Sequence, residues 1–299
     1  MVNVLCAGLA SMDFIFRVGE MPTKPEKYRA KDAAQSTGGG AAGQALAATR
    51  LGGQGFAVTR LGDDPMGALV VDGMTANGID CRFARRFDGR RSSYSSILID
   101  AAGERQIVNY RDWDLPADAG WLLDADHPPI GATVADTRWP EGAAALMRIA
   151  RERGVPGIMD GEAPVRDAFE ALGLASHIAF SIQGLRDLTG EEDARAGLLA
   201  ARKEFDAWLC VTDGENGVTV LDGNDFGHVP AVAVDVVDTL GAGDIWHGAF
   251  ALALGEGQEM AAAIRFANAA ASIKCSRFGG QSGCPDRQEV EAFLRMHGV

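Results

Sequence analysis

The residues with the clearest chemical meaning are Gly241, Ala242, Gly243 and Asp244, which stand together before a long apolar stretch. Two glycines around an alanine leave backbone N–H groups uncovered where a helix begins, at the positive end of the helix dipole. Such a terminus suits a phosphate. A carboxylate in the first turn could take a proton from an attacking hydroxyl while the amides hold the group under attack. The alternative is a plain glycine turn in which Asp244 is only the helix N-cap.

These residues need a scaffold, and the second half of the chain has the pattern of a sheet. A valine-rich run at 232–237 leads into the glycines, and we expect an apolar helix after Asp244. Earlier, short apolar runs alternate with helical segments, which predicts an α/β fold with a doubly wound, mostly parallel sheet flanked by helices. The runs lie at 132–135, 157–159, 177–180 and 207–211.

Polar residues follow each of these runs, at the end of the sheet where ligands of open α/β sheets bind. They are Asp136 and Arg138, Asp160 and Glu162, Ser181, and Thr212 and Gly214. We therefore expect the functional site along this edge.

The first half of the chain contains a feature of another kind. An apolar strand at 2–7 is followed by Asp13, and the runs at 92–100 and 106–110, joined by 101–104, have the pattern of a β-hairpin. No helix separates the two strands of this hairpin. We predict a small β-sheet lid, formed by about 13–35 and 88–114, on a single domain spanning 1–299.

A glycine-rich turn precedes an alanine-rich helix near residue 40. Gly38, Gly40 and Gly43 have the spacing of a dinucleotide-binding fingerprint, which would indicate an NAD-dependent oxidoreductase. The preceding residues, 31–35, do not have the pattern of a buried strand. The pattern therefore disfavours this alternative.

Composition narrows the class of partner. The chain has 299 residues, 47% of them hydrophobic, and a formal net charge of −13, which disfavours nucleic acid and anionic membranes as partners. No apolar run reaches the ~20 residues of a membrane span. Five scattered cysteines without a Cys-x-x-Cys pair indicate free thiols in a reducing compartment, so we expect a cytoplasmic protein.

The segment Asp238-Thr239-x-Gly241-Ala242-Gly243-Asp244 resembles a signature of the ribokinase-like (PfkB) carbohydrate kinases. The resemblance implies that Asp244 is the catalytic base and that Gly241, Ala242 and Gly243 form the anion hole. The turn at 38–43 resembles the first signature of the family. It implies that Asp13, Gly39, Gly40 and Gly43 bind the sugar, although ribokinase itself has Asn where Gly43 stands.

The resemblance also implies an ATP site and a divalent cation. Thr212, Gly214 and Gly217 match the nucleotide turn of the family, although this stretch by itself could be an ordinary hairpin. Asn268 and Gly280 match the helix and loop that flank adenine and ribose, although Asn268 could also be a solvated helical residue. Mg²⁺ is expected because the phosphates carry charge that must be neutralised. Its ligands are unknown, because Ser181 and Gly184 stand where ribokinase relatives have the Asn and Glu of an Asn-x-x-Glu motif. Asp160 or Glu162 could lie nearby.

Two further expectations come from the family. A monovalent cation such as K⁺ could use Asp238 and the carbonyl of Leu240, and the lid could form a homodimer interface.

Three donors, Lys27, Asn109 and Arg138, fall on the predicted lid and sheet end. Each could be an ordinary solvated side chain, but together they would suit an anionic group on a sugar. Within the family the chain most resembles the 6-deoxy-6-sulfofructose kinases, through matches such as Asn109-Tyr110 and Arg138-Trp139. We therefore predict an ATP-dependent kinase for a primary hydroxyl of a small acidic ketose, sulfonated or phosphorylated. The alternatives are a kinase for a neutral sugar or nucleoside, and a non-catalytic sensor that binds nucleotide and sugar.

Overall fold

The structure is a computed structural model, and it describes residues 1–101, 104–223 and 225–298. Within these ranges the strands are β1 (Asn3–Gly8), β2 (Ser11–Arg17), β3 (Asp32–Gly38), β4 (Gln54–Gly62), β5 (Asp80–Phe87), β6 (Ser93–Ile99), β7 (Arg105–Tyr110), β8 (Ala132–Ala135), β9 (Gly157–Gly161), β10 (His177–Ser181), β11 (Trp208–Thr212), β12 (Val218–Asp222) and β13 (Asp225–Val229). The helices are α1 (Gly40–Arg50), α2 (Pro65–Ala76), α3 (Gly120–Leu123), α4 (Pro140–Arg153), α5 (Phe169–Leu174), α6 (Ile182–Thr189), α7 (Ala194–Arg202), α8 (Ala242–Gly255), α9 (Met260–Cys275) and α10 (Arg287–His297).

The large sheet has the strand order β13-β12-β11-β10-β9-β8-β1-β4-β5. Every pair from β11 to β5 is parallel, and β12 and β13 are antiparallel at one edge. The predicted α/β fold and the four predicted strands at β8 to β11 are confirmed. The chain leaves β1 towards β4 on one side and β8 lies on the other, so the crevice between β1 and β8 is the switch point where such folds bind ligands.

Alternate residues of β1 enter two different cores. Val4 and Cys6 pack in the core that contains helices α1, α8 and α9, whereas Leu5 and Ala7 pack in the core on the opposite face. This follows from the two-residue period of a strand, and it explains why β1 is apolar from Val4 to Ala7. The site elements α1 and α8 thus share one face of the sheet.

A second sheet of four strands, in the order β3-β2-β6-β7, stands apart from the large one. Strands β6 and β7 form the predicted antiparallel hairpin, although Ala102 and Gly103 of its turn lie outside the described residues. Strand β2 pairs parallel with β6 and antiparallel with β3. The predicted small sheet is confirmed.

One local expectation differs from the structure, and several local features were not predicted. The residues before the glycine turn do form a strand, β3, but it belongs to the small sheet and its first half is exposed, so no buried dinucleotide-binding strand precedes Gly38. The edge strands β5, β12 and β13 were not predicted. The valine-rich run 232–237 forms no strand, because it lies against the end of α9, where the Cys275 carbonyl accepts from the N–H of Val237 at 2.8 Å. Helix α8 begins at Ala242 and not after Asp244.

Candidate active site

The glycine turn before α8 presents free amides, as expected. Gly241 is the N-cap with φ +75°, a left-handed conformation that glycine adopts without strain. Within the described residues, the N–H groups of Gly241 and Gly243 have no protein acceptor, whereas that of Ala242 donates to the Thr239 carbonyl at 3.2 Å. Two of the three predicted amides are therefore free to bind an anion, and the third is hydrogen-bonded to the backbone.

Asp244 lies in the first turn of α8 and is half-buried. Gln281 Nε2 donates to Asp244 Oδ2 at 2.7 Å and to the Gly39 carbonyl at 3.0 Å. The pKa of Asp244 is raised to about 8, chiefly by burial and then by the nearby Asp160 and Glu162 carboxylates, while the Gln281 hydrogen bond opposes this rise. Asp244 is not the helix N-cap, which is Gly241.

Gln281 is a site residue that sequence analysis missed. Its side chain is buried and fills the space beside Gly43: a Cβ at residue 43 would lie 2.4 Å from Gln281 Nε2 and 2.6 Å from Asp244 Cβ. Any larger residue at 43 would displace both side chains. The only available signal was that residue 43 is glycine where ribokinase has a side chain.

The turn between β3 and α1 brings two predicted carboxylates against bare backbone. A Cβ on Gly38 would lie 2.0 Å from Asp13 Oδ2, and one on Gly40 would lie 2.4 Å from Asp136 Oδ2. Gly39 between them has φ +85°. The glycines are required by close approach, which brings Asp13, Gly39 and Gly40 together as predicted.

A cavity of about 540 Å³ opens beside the start of α8. Thr212, Gly214, Gly217 and Asn268 of the predicted nucleotide set line it, together with Ala242 and Gly243 of the anion-hole turn.

Asn268 lines this cavity, but its side-chain amide already makes hydrogen bonds within the protein. Asn268 Oδ1 accepts from Trp246 Nε1 at 2.7 Å, and Nδ2 donates to the Pro230 carbonyl at 3.0 Å. Gly280 does not line the cavity; its N–H donates to Asp238 Oδ2 at 2.8 Å. Gly280 thus supports the loop before α8.

On the small sheet, Asp13, Ser95 and Asn109 are neighbours across three strands, since Asp13 pairs with Ser95 and Ser95 with Asn109. Directly paired residues project from the same face of a sheet. Asn109 Nδ2 donates to Ser95 Oγ at 3.1 Å, so two of the predicted sugar-binding residues form one polar row.

Arg138 and Lys27 are placed differently. Arg138 follows β8, and its Nη2 donates to Glu162 Oε2 at 3.0 Å. Arg111, which sequence analysis did not select, donates to the Arg138 carbonyl at 3.0 Å and so brings a second guanidinium to this edge. Lys27 lies in the exposed segment between β2 and β3, and its ammonium makes no hydrogen bond or ion pair to the described residues. The structure shows no hydrogen bond between Lys27 and the other two predicted donors, Asn109 and Arg138.

Comparison with known proteins agrees with this geometry. The family model "pfkB family carbohydrate kinase" matches residues 1–287. The chain belongs to the PfkB family of carbohydrate kinases. It is 30% identical over 298 residues to ribokinase from Bacillus subtilis, which covers 98% of this chain and 100% of that protein. It is 29% identical over 305 residues to the ATP-dependent ribose-1-phosphate kinase of Halopiger xanaduensis, with 98% of each chain covered. Among solved structures it resembles a protein of Agrobacterium tumefaciens, provisionally described as a ribokinase, with 35% identity, a TM-score of 0.92 and 100% and 99% of the chains covered.

The predicted family, fold and enzyme class, a sugar kinase, are thereby confirmed. The closer resemblance to sulfofructose kinases stays a prediction, as does the cytoplasmic location. Separately, none of the helices in the described parts of this PfkB kinase combines the length and apolar character needed to cross a bilayer.

The carboxylates around the crevice fit a divalent cation by charge. Burial raises the pKa of Asp136 to about 6, and burial together with Glu162 and Asp136 raises the pKa of Asp160 well above its usual range. A nearby cation would relieve this mutual repulsion. Among the described residues, however, no three metal-binding side chains converge on one point. The charge of the carboxylates thus suits Mg²⁺, but these residues form no set of three protein ligands for it.

The absence of the Asn-x-x-Glu motif is built into the packing of this PfkB kinase. Ser181 Oγ accepts from the Gly184 N–H at 2.9 Å and caps α6. A Cβ on Gly184 would lie 1.8 Å from the Gly161 carbonyl oxygen of β9. A glutamate at 184 is therefore excluded unless the helix moves away from the sheet.

Proposed function

We propose that the protein transfers the γ-phosphoryl group of ATP to a primary hydroxyl of a small ketose that carries an acidic group. The observation that carries the proposal is the position of Asp244. It directly follows Gly243 in the first turn of α8, the same helix start that carries the free N–H groups of Gly241 and Gly243, and Gly243 lines the 540 Å³ cavity. A base, an anion hole and a nucleotide-sized cavity meet at one helix terminus.

In this mechanism Asp244 accepts the proton of the attacking hydroxyl as the oxygen approaches the γ-phosphorus. The amides of Gly241 and Gly243 hold the transferring group and stabilise charge on its oxygens. Gln281 fixes the rotation of the Asp244 carboxylate by donating to Oδ2. Mg²⁺, when bound, neutralises phosphate charge, and Asp160 and Glu162 would hold it through water.

Two observations support ATP as the phosphoryl donor. The cavity is lined by the turn at Thr212, Gly214 and Gly217, and it reaches the anion-hole residues Ala242 and Gly243. The relative from Halopiger xanaduensis is named as an ATP-dependent kinase, and it matches 98% of this chain.

We infer that the acceptor carries an acidic group because guanidinium groups lie near the presumed sugar-binding residues. Arg138 and Arg111 lie within one hydrogen bond of each other at the end of β8, and Asn109 projects from the row with Asp13. A sulfonate or phosphate on the sugar would replace Glu162 as the partner of Arg138. Lys27 could join only by movement of its exposed segment. A 6-deoxy-6-sulfofructose is our specific candidate.

The catalytic part of the proposal is tested by Asp244→Asn. We expect turnover to fall at least ~10²-fold with little change in KM, because general-base catalysis contributes that much. The matched control is Asp72→Asn, which changes an exposed carboxylate on α2. Near-normal turnover in Asp244→Asn would remove Asp244 from this role. If the native protein releases no ADP with any sugar in the presence of Mg²⁺, the sensor alternative is correct.

The acceptor is tested with a panel of sulfonated, phosphorylated and neutral ketoses, and with nucleosides. We expect Arg138→Met to raise KM for acidic acceptors about 10-fold or more, because a hydrogen bond to a charged group is worth ~1.5–3 kcal/mol. Arg148→Met, which removes an exposed guanidinium from α4, should leave KM unchanged. Preference for a neutral sugar or nucleoside in the native protein would refute the acidic acceptor.

We also propose that the lid forms a homodimer. Val108 of the edge strand β7 is 69% exposed, and Ile107 beside it is 49% exposed. Light scattering should show a dimer that Val108→Glu disrupts, and a monomeric native protein would contradict this.

A further inference from the structure

The family resemblance implies a monovalent metal ion bound by Asp238 and the Leu240 carbonyl. In this structure the ammonium of a lysine side chain already lies beside Asp238. Lys274 is fully buried at the end of α9. Its Nζ donates to the Asp238 carbonyl at 2.6 Å and lies 3.5 Å from Asp238 Oδ2. An ammonium also suits the carbonyl end of a helix.

Both oxygens of the Asp238 carboxylate already accept hydrogen bonds from the backbone. Oδ1 accepts from the Leu240 N–H at 2.8 Å, and Oδ2 accepts from the N–H groups of Gly279 and Gly280 at 3.1 and 2.8 Å. With Lys274 Nζ 3.5 Å from Oδ2, the charge of the carboxylate is compensated from within the chain. A second cation here would meet the repulsion of a buried ammonium in a low-dielectric environment.

A neighbouring backbone contact also joins the end of α9 to the anion-hole turn. The Cys275 carbonyl accepts from the N–H of Asp238 at 3.1 Å, and Asp238 is three residues before Gly241. The end of α9, the loop at 279–280 and the turn before α8 are thus held by one buried ion pair. Removing a partner from such a pair leaves an uncompensated buried charge.

We propose that the Lys274 ammonium is the resident cation of this turn and that the kinase neither binds nor needs a monovalent metal ion there. The part that concerns turnover depends on the proposed function. The part that concerns binding does not, so the two can fail separately.

The first experiment uses the native protein without substrate. Its thermal midpoint is measured in choline chloride and in potassium chloride at equal ionic strength over a range of concentrations. We expect the two midpoints to agree within about 1 °C, because a ligand of the folded state would raise the midpoint. A saturable rise of about 2 °C or more that requires K⁺ would overturn the proposal. Turnover should likewise change less than about twofold on addition of K⁺, whereas a tenfold activation would refute it.

The second experiment empties the position of Lys274. Lys274→Ala leaves a space beside the Asp238 carboxylate, so we expect a lower midpoint in choline and a partial, saturable recovery in K⁺. Lys274→Met fills the space without a charge, and it should be destabilised in both salts. Arg265→Met removes a charge from the same helix and should have equal midpoints in both salts. Native-like stability of Lys274→Met would show that the ammonium is unnecessary. If neither variant folds, the salt comparison on the native protein decides.

Discussion

Replacing Gln281 with methionine should shift the pH dependence of the reaction. Gln281 Nε2 is the side-chain donor to Asp244 Oδ2, at 2.7 Å, and this bond lowers the pKa of Asp244, which is about 8 with the bond in place, chiefly because of burial. A hydrogen bond to a charged group is worth ~1.5–3 kcal/mol, and 1.36 kcal/mol corresponds to one pH unit. Because Asp244 is half-buried, we take the lower end and expect the pKa to rise by about 1 unit. The ionised fraction near pH 7, and with it kcat/KM, should then fall ~10-fold.

The assay is kcat/KM from ADP release between pH 6 and 10, since this ratio reports groups of the free enzyme. The acidic limb of Gln281→Met should lie about one unit above the native limb, and the two curves should approach each other at high pH. Ser282→Ala, an exposed neighbour in the same loop, is the matched control and should leave the limb in place. An unchanged limb, or a loss of equal size at every pH, would refute the view that Gln281 acts on the Asp244 carboxylate.

Two further predictions concern stability. The folded state holds a proton on Asp244 between the ordinary pKa of 3.8 and about 8, so this residue makes stability fall as pH rises through that window. Asp244→Asn removes the penalty, and calorimetry should show a midpoint about 3–8 °C above the native value at pH 9 and no difference at pH 4; equal midpoints at pH 9 would contradict the shifted pKa. A Cβ on Gly184 would meet the Gly161 carbonyl at 1.8 Å, so urea unfolding of Gly184→Ala should show a loss of ~1–3 kcal/mol or more. Gly173→Ala, where a Cβ meets nothing within 4 Å, is its control, and equal stabilities would show that α6 moves freely.

The sequence determined the architecture through local physics. Apolar runs at β8, β9, β10 and β11 alternate with amphipathic segments, and this period is visible in any one window of the chain. The glycines at 241 and 243 also indicate an anion-binding helix start from sequence alone, because glycine has no side chain to cover its backbone N–H group. The hairpin at β6 and β7 likewise follows from two short runs without a helix between them.

The tertiary structure decided which distant groups act on the site. Gln281 reaches Asp244 across 37 positions of sequence, and Lys274 reaches Asp238 across 36. Neither contact has a local pattern, because each depends on how α9 and the loop after it pack against the start of α8. The same holds for Gly184, whose need for a bare backbone comes from the neighbouring strand β9. Sequence periodicity fixes the faces of helices and strands, but the partner of a buried charge is chosen only when those faces are packed together.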